Sequence, residues 1–372
     1  MIYVYAFFSF CLLNTPFLLS AKVDYEAKVF LTPSADCIVP KSLNQAGTFV
    51  GQITLNNRIT DYLGDGVNDL VIIAHDTDPL TYPRLNNMGQ VVGISQSDGV
   101  KQVYLYEPGK PLHFLGFPKG WDANKISIRG FNDKGQILVC NHENVRKATL
   151  FSLWEKEEFK ELSFSAAFKL LAMNNHSDFL ILEQGAVKGE MSLWLCDVKE
   201  GMQLIATRPS LFGYHLNDQK QVTFSDDSIE KTPGFRAPDK YFLWSPKKGA
   251  MLLGNDYPIG LNNKGDVLLR NYVGHTSNRT FSYLPFSVPL PDGAKVQNSS
   301  AHCFNDKGQI IALGTYLNEK EANLREKKQM LFFNPVKNSQ GSTNPTEDDI
   351  QRATDLLIQQ EANVPNVDLN FF

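Results

Sequence analysis

The chain has 372 residues, with 36 Lys and Arg against 40 Asp and Glu, a net charge of -4 and 42% hydrophobic residues. Those proportions belong to a globular protein and exclude a disordered chain, a collagen-like rod and a basic nucleic-acid binder. Length alone allows two or three domains, or one large β-architecture that uses the whole chain.

Residues Ile2 to Leu13 are almost wholly apolar, and no charge appears before Lys22. The run is too short, and too soon interrupted by Asn14, Thr15 and Pro16, to span a bilayer, which takes about 20 apolar residues. It reads as a secretory signal over residues 1–21, cleaved near Ala21; an uncleaved anchor or a buried strand is the other reading. The mature protein is then expected to be secreted or periplasmic, monomeric and without a transmembrane span. Cleavage leaves Cys37, Cys140, Cys196 and Cys303, none in a CxxC pair. Cys140 and Cys196 end apolar runs and read as buried free thiols, though export leaves room for one or two bridges.

Seven segments then repeat one pattern. They begin at Ser42 (SLNQAGTFVG), Arg84 (RLNNMGQVVG), Gly130 (GFNDKGQILV), Ala172 (AMNNHSDFLI), His215 (HLNDQKQVTF), Gly260 (GLNNKGDVLL) and Cys303 (CFNDKGQIIA). Their asparagines, Asn44, Asn86, Asn132, Asn174, Asn217, Asn262 and Asn305, are spaced by 42, 46, 42, 43, 45 and 43 residues. An apolar residue precedes each Asn, and an apolar run starts about five residues after it. Asn-Asp-Lys-Gly between apolar runs suits a tight hairpin, a type I turn followed by a residue with positive φ, where glycine carries no penalty. Gly47, Gly89, Gly135, Gly265 and Gly308 hold that place; Ser177 and Lys220 do not, so those two turns are expected to be strained or differently built. The turn accounts for the repeated Asn and Asp without invoking metal ligation.

After each hairpin comes an aromatic-rich run: VYLYEPG, TLFSLWE, SLWLCDV, YFLWSP, FSYLPF from Phe281 and MLFFNP, with DLVIIAHD from Asp69 in that place in the first unit. Several units add a shorter fourth run. Four short strands per repeat of about 43 residues define a β-propeller blade. Trp154, Trp194 and Trp244 fall in third strands, where packing between blades is their expected role. The seventh unit lacks a fourth strand, and Ala27 to Pro33 (AKVFLTP) is spare at the other end of the chain. The expectation is an all-β, seven-bladed β-propeller over residues 25–335, closed by that N-terminal strand. A linker and amphipathic helix follow over 336–372, with Asn344 as cap and Pro345 in the first turn.

The pattern LNNxGQVVG followed by an aromatic strand, clearest at Arg84 to Ile94 and Gly260 to Leu268, resembles the HAF-type extracellular repeats of bacterial secreted proteins. The likeness covers nearly the whole mature chain, as a divergent member: the His-Ala-Phe tripeptide is replaced by strands such as ATLF from Ala148. The resemblance implies a propeller-like fold and no assigned activity.

Three places offer chemistry. Asp61, Asp65 and Asp69, with Gly66 between them, are similar to the Asp-rich calcium loops of other propellers, and oxygen ligands beside a turn glycine are what Ca²⁺ takes; a plain solvated turn is the alternative. Arg84, Arg129, Tyr214, His215 and His302 lie just before the asparagines, on first strands that line the central channel of a propeller. They read as a polar channel site or as solvated channel lining. The long links between second and third strands, at Asn56 to Asn68, Ser225 to Asp239 and Asn318 to Gln329, share the face opposite the Asn hairpins, and long irregular loops are where binding concentrates. No GxSxG, HExxH, P-loop or dinucleotide motif occurs. The sequence therefore points to a non-catalytic scaffold without a required cofactor, recognising a protein or glycan surface through that face. The rival is a hydrolase or lyase at the channel mouth using His215 or His302 with a metal.

Overall fold

The computed structural model describes residues 25–336 apart from 31–36, 67–69, 80, 98, 142–149, 156–157, 163–167, 186–190, 198–199, 208–212, 227–239, 255, 271, 278–279, 286, 290–294 and 318–327. The signal segment and the C-terminal helix expected from sequence both fall outside the described residues, as does Asp69.

Seven antiparallel sheets stand around an axis. The first contains Cys37–Leu43, Phe49–Leu55, Arg58–Gly64 and Val71–Ala74, in that spatial order. The following five repeat the same simple meander, and blade seven begins at Lys295–Phe304. Closure is as expected from sequence: Tyr25–Phe30 pairs antiparallel with Lys328–Pro335, from Tyr25 opposite Pro335 to Phe30 opposite Met330. The two chain ends thus complete one blade, and an exposed edge along Lys328–Pro335 is removed. The chain is a seven-bladed β-propeller of four-stranded blades. Blade seven carries one addition not foreseen, the short strand Ser287–Pro289 paired with Lys295 to Gln297. Among the described residues no helix is long and apolar enough to cross a membrane.

Two strand assignments made from sequence are corrected. In blade one the residues expected to form a long loop after Asn56 are the third strand, Arg58–Gly64, and Val71–Ala74 is the fourth. Asn56 and Asn57 both adopt positive φ (51° and 63°), the signature of a two-residue type I′ turn, so the chain reverses at once. In blade six the third strand is Tyr272–His275, and the run containing Phe281 is the fourth, Thr280–Tyr283. The short, glycine-containing YVGH lacks the aromatic run that marks third strands elsewhere.

The core lies between blades. An aromatic side chain from each third strand packs against the preceding blade: Tyr62, Tyr104, Trp154, Trp194, Trp244, Tyr272 and Phe333. Trp194 sits against Leu138 and Cys140 of blade three, and Trp244 against Leu180 and Leu193 of blade four. Burying such a side chain contributes about 2–3 kcal/mol, and each one ties a blade to its neighbour. Room for Tyr104 comes from Gly93 opposite it, where a Cβ would stand 2.5 Å from the tyrosine oxygen. All four described cysteines are free thiols, with Cys140 buried and Cys196 half-buried.

The hairpin turns are built alike in all seven blades. Each Asn carbonyl accepts from the amide three residues on, and each Asn amide donates to the carbonyl four residues on. Ser177 (φ 72°) and Lys220 (φ 58°) take the glycine conformation, so these two turns carry backbone strain rather than a different design.

Candidate functional site: the axial channel

The first strands of all seven blades run toward the Asn hairpins and surround the axis, so positions counted back from each Asn form layers. At the mouth, the Asn Oδ1 accepts from the backbone amides two and four residues ahead, as from Lys134 and Gln136 onto Asn132. At six blade junctions the Asn Nδ2 donates to the backbone carbonyl of the next blade's Asn, at 2.7–3.4 Å, and Asn305 closes onto Asn44. The residue after each Asn makes a second circle. Gln45, Asn87, Asp133, Asn175, Asp218, Asn263 and Asp306 each donate their backbone N–H to the side-chain oxygen of the next, at 2.6–3.1 Å, through all seven blades. Sequence reasoning identified these residues as turn formers and missed the circle. The missed signal was a side chain able to accept a hydrogen bond at this place in every repeat.

Beneath the circle lies an apolar collar: Leu43, Leu85, Phe131, Met173, Leu216, Leu261 and Phe304. Circle, asparagines and collar together line an open pocket of about 210 Å³ at the hairpin mouth. The next residues back do not line this pocket. They stand beyond the collar, in the part of the channel that opens to the opposite face.

That deeper layer holds most of the channel residues expected from sequence, together with one that was missed. Arg84 of blade two is reached by water yet enclosed by the channel walls; this enclosure, and then the charge of Arg129, make it a weaker base than a free guanidinium. Lys41 of blade one, at the place Arg129 and His302 hold in their own blades, was not singled out. Burial and the nearby Arg84 likewise lower its pKa, and its ammonium lies 3.5 Å from the centre of the Tyr82 ring. Arg129 Nε donates to Cys140 Sγ at 3.3 Å. His215 Nε2 lies 3.2 Å from the Pro258 carbonyl oxygen, and burial brings the imidazole down to about 4, with Arg84 acting in the same direction. His302 Nε2 is 3.2 Å from Ser300 Oγ. The Cys303 thiol beside Lys41 is pushed up to about 12 by burial. Tyr214 contributes to the core between blades four and five. Arg84 is therefore within electrostatic reach of Arg129, His215 and Lys41.

The acidic residues of blade one are placed differently from the sequence expectation. Asp61 lies in a strand, between Gln52 and Ala74, with its carboxylate in the dry contact between blades one and two. Tyr104 Oη donates to Asp61 Oδ2 at 2.5 Å, while Oδ1 has no hydrogen-bond partner among the described residues. Burial raises the carboxyl to about 6, and the Tyr104 hydrogen bond opposes this. Asp65 sits just after the strand end. Among the described residues no group of three or more His, Cys, Asp and Glu side chains is placed to hold a metal ion.

The architecture is shared with solved β-propellers. Acylaminoacyl peptidase from Pyrococcus horikoshii superposes with a TM-score of 0.52 at 9% identity, over 86% of this chain and 54% of that one. The β-propeller domain of the trilobed protease from Pyrococcus furiosus gives 0.50 at 10% identity, over 83% and 97%. TolB from Acinetobacter baumannii gives 0.41 at 11%, over 56% and 52%. The chain thus spans about half the length of the TolB and acylaminoacyl peptidase chains. No protein-family model matches the chain, and no curated protein is similar to it in sequence. At these identities the likeness concerns the fold alone.

Proposed function

We propose that this propeller is a secreted or periplasmic, non-catalytic binding scaffold that recognises a protein or glycan surface through the face opposite the Asn hairpins. One observation carries the reading. The hairpin face is locked by a hydrogen-bond circle in which a backbone N–H of each blade donates to a side-chain oxygen of the next, with the apolar collar lining the channel behind it. Variation between blades, from the two-residue turn at Asn56–Asn57 to the interval between Asp226 and Lys240, falls on the other face together with the open end of the channel. The HAF-type resemblance and the expected signal segment agree with export. The rival hydrolase or lyase needs a carboxylate or metal beside His215 or His302, and the polar contact that holds His215 is a backbone carbonyl.

The test is hydrogen–deuterium exchange on the full chain, with and without a ligand selected from arrays of glycans and envelope proteins. Protection is expected at the strand two-to-three links and the starts of the first strands. Protection confined to the hairpin turns, or turnover of the bound ligand, sinks the reading.

A further inference from the structure

Among the described residues neither Lys41 nor Arg84 forms an ion pair, and the Arg84 side chain makes no hydrogen bond. Both stand on the first strands of adjacent blades, farther from the hairpin mouth than the collar, and Arg129 stands at the same depth as Lys41 on the third blade. The first strands of blades one, two and three lie side by side, with Ser42 Oγ donating to the Leu85 carbonyl at 3.4 Å, and the cations they carry are within reach of like charges: Arg129 is felt at Arg84, and Arg84 at Lys41 and His215. Like charges held close together repel, so an anion entering beside Lys41 and Arg84 is favoured. Arg84 is exposed to water, so a solute can reach it, and it does not line the pocket at the hairpin mouth.

We propose that the channel is an anion site for a doubly charged tetrahedral oxyanion, phosphate or a phosphate monoester, held by Lys41, Arg84 and Arg129. Two guanidinium groups offer planar pairs of N–H donors that match such oxygens, and the ammonium adds a compact third charge. Buried at neutral pH as an uncharged ring, His215 supplies a wall rather than a charge. The proposal deepens the binding-scaffold reading by assigning a ligand class to the open end of the channel.

Calorimetric titration of the full chain at constant ionic strength tests it, with inorganic phosphate and glucose 6-phosphate as separate probes and chloride as reference. Wild-type protein is expected to bind at least one probe saturably and to gain thermal stability with it. Arg84→Gln and Lys41→Met are each expected to weaken binding about tenfold or more, whereas Lys307→Gln on the hairpin face leaves it unchanged. Without phosphate, Arg84→Gln should be no less stable than wild type, because a repulsion is removed. Tighter binding of glucose 6-phosphate identifies an ester as the ligand, and binding of inorganic phosphate alone identifies the free ion; both uphold the site. No phosphate-specific binding, or binding as tight as wild type in both channel variants, overturns it. Either of those results leaves recognition on the variable face to be decided by hydrogen exchange alone.

Discussion

Replacing Asn86 with alanine is expected to destabilise the protein by about 4 kcal/mol, a large fraction of a typical domain's stability. Asn86 Oδ1 accepts from the amides of Met88 and Gln90 at 3.1 and 3.0 Å. Its Nδ2 donates to Gln90 Oε1 at 2.8 Å and to the Asn132 carbonyl of the next blade at 3.1 Å. The side chain is almost wholly buried, so alanine leaves two donors and two acceptors short of partners in a place water reaches poorly. The loss also uncouples blade two from blade three at the axis. Asn86→Asp is expected to fall between, since it keeps both accepted bonds and loses the donation. Urea denaturation checks this: near-equal midpoints for wild type and Asn86→Ala would show that the inter-blade bond is inessential.

Asp61→Asn is expected to act in the opposite direction, and only at neutral pH. The Asp61 carboxyl is raised from its ordinary range to about 6 by burial. A carboxyl with a raised folded pKa favours the folded state fully below about pH 4, and that stability is lost as pH climbs through about 6. Asparagine keeps the acceptor for Tyr104 without the buried charge, so the variant should gain about 2 kcal/mol at pH 7–8 and nothing at pH 4. His215 runs the other way. Its pKa is depressed to about 4, so its contribution is complete above about pH 6.5 and lost as pH falls through about 4. The two groups oppose each other in wild type, and Asp61→Asn should therefore show a steeper acid loss between pH 6.5 and 4. Melting temperatures across pH 4–8 decide it; an equal offset at every pH would mean that Asp61 is not a buried, reluctant acid.

These residues also show what could be read from sequence and what could not. Blade number, hairpin turns and ring closure were legible because each repeat carries its own turn chemistry: Asn132 to Gly135 reads as a hairpin before any contact is known. The third strand of blade one was not legible, because Asn56-Asn57 contains no glycine and reads as loop. Asp61 reads from sequence as part of a calcium loop or a solvated turn for the same reason, since without that turn nothing marks Arg58–Gly64 as a strand. Channel residues were found by their position before each Asn, which gave Arg84, Arg129, His215 and His302. Lys41 stands three residues before Asn44, the same offset as Arg129 and His302, and only the structure sets it beside Arg84. Convergence could not be read at all: Arg84 and His215 are far apart in sequence, on blades two and five, and only ring closure brings them together.

That convergence is the account's central claim, and the titration of His215 followed by NMR tests it most directly. A closed seven-bladed ring with a cationic channel predicts a His215 pKa near 4 that rises in Arg84→Gln, since a positive neighbour opposing imidazole protonation has been removed. An ordinary titration near pH 6.5, unchanged by Arg84→Gln, would contradict the account, because the two side chains would then not share a channel.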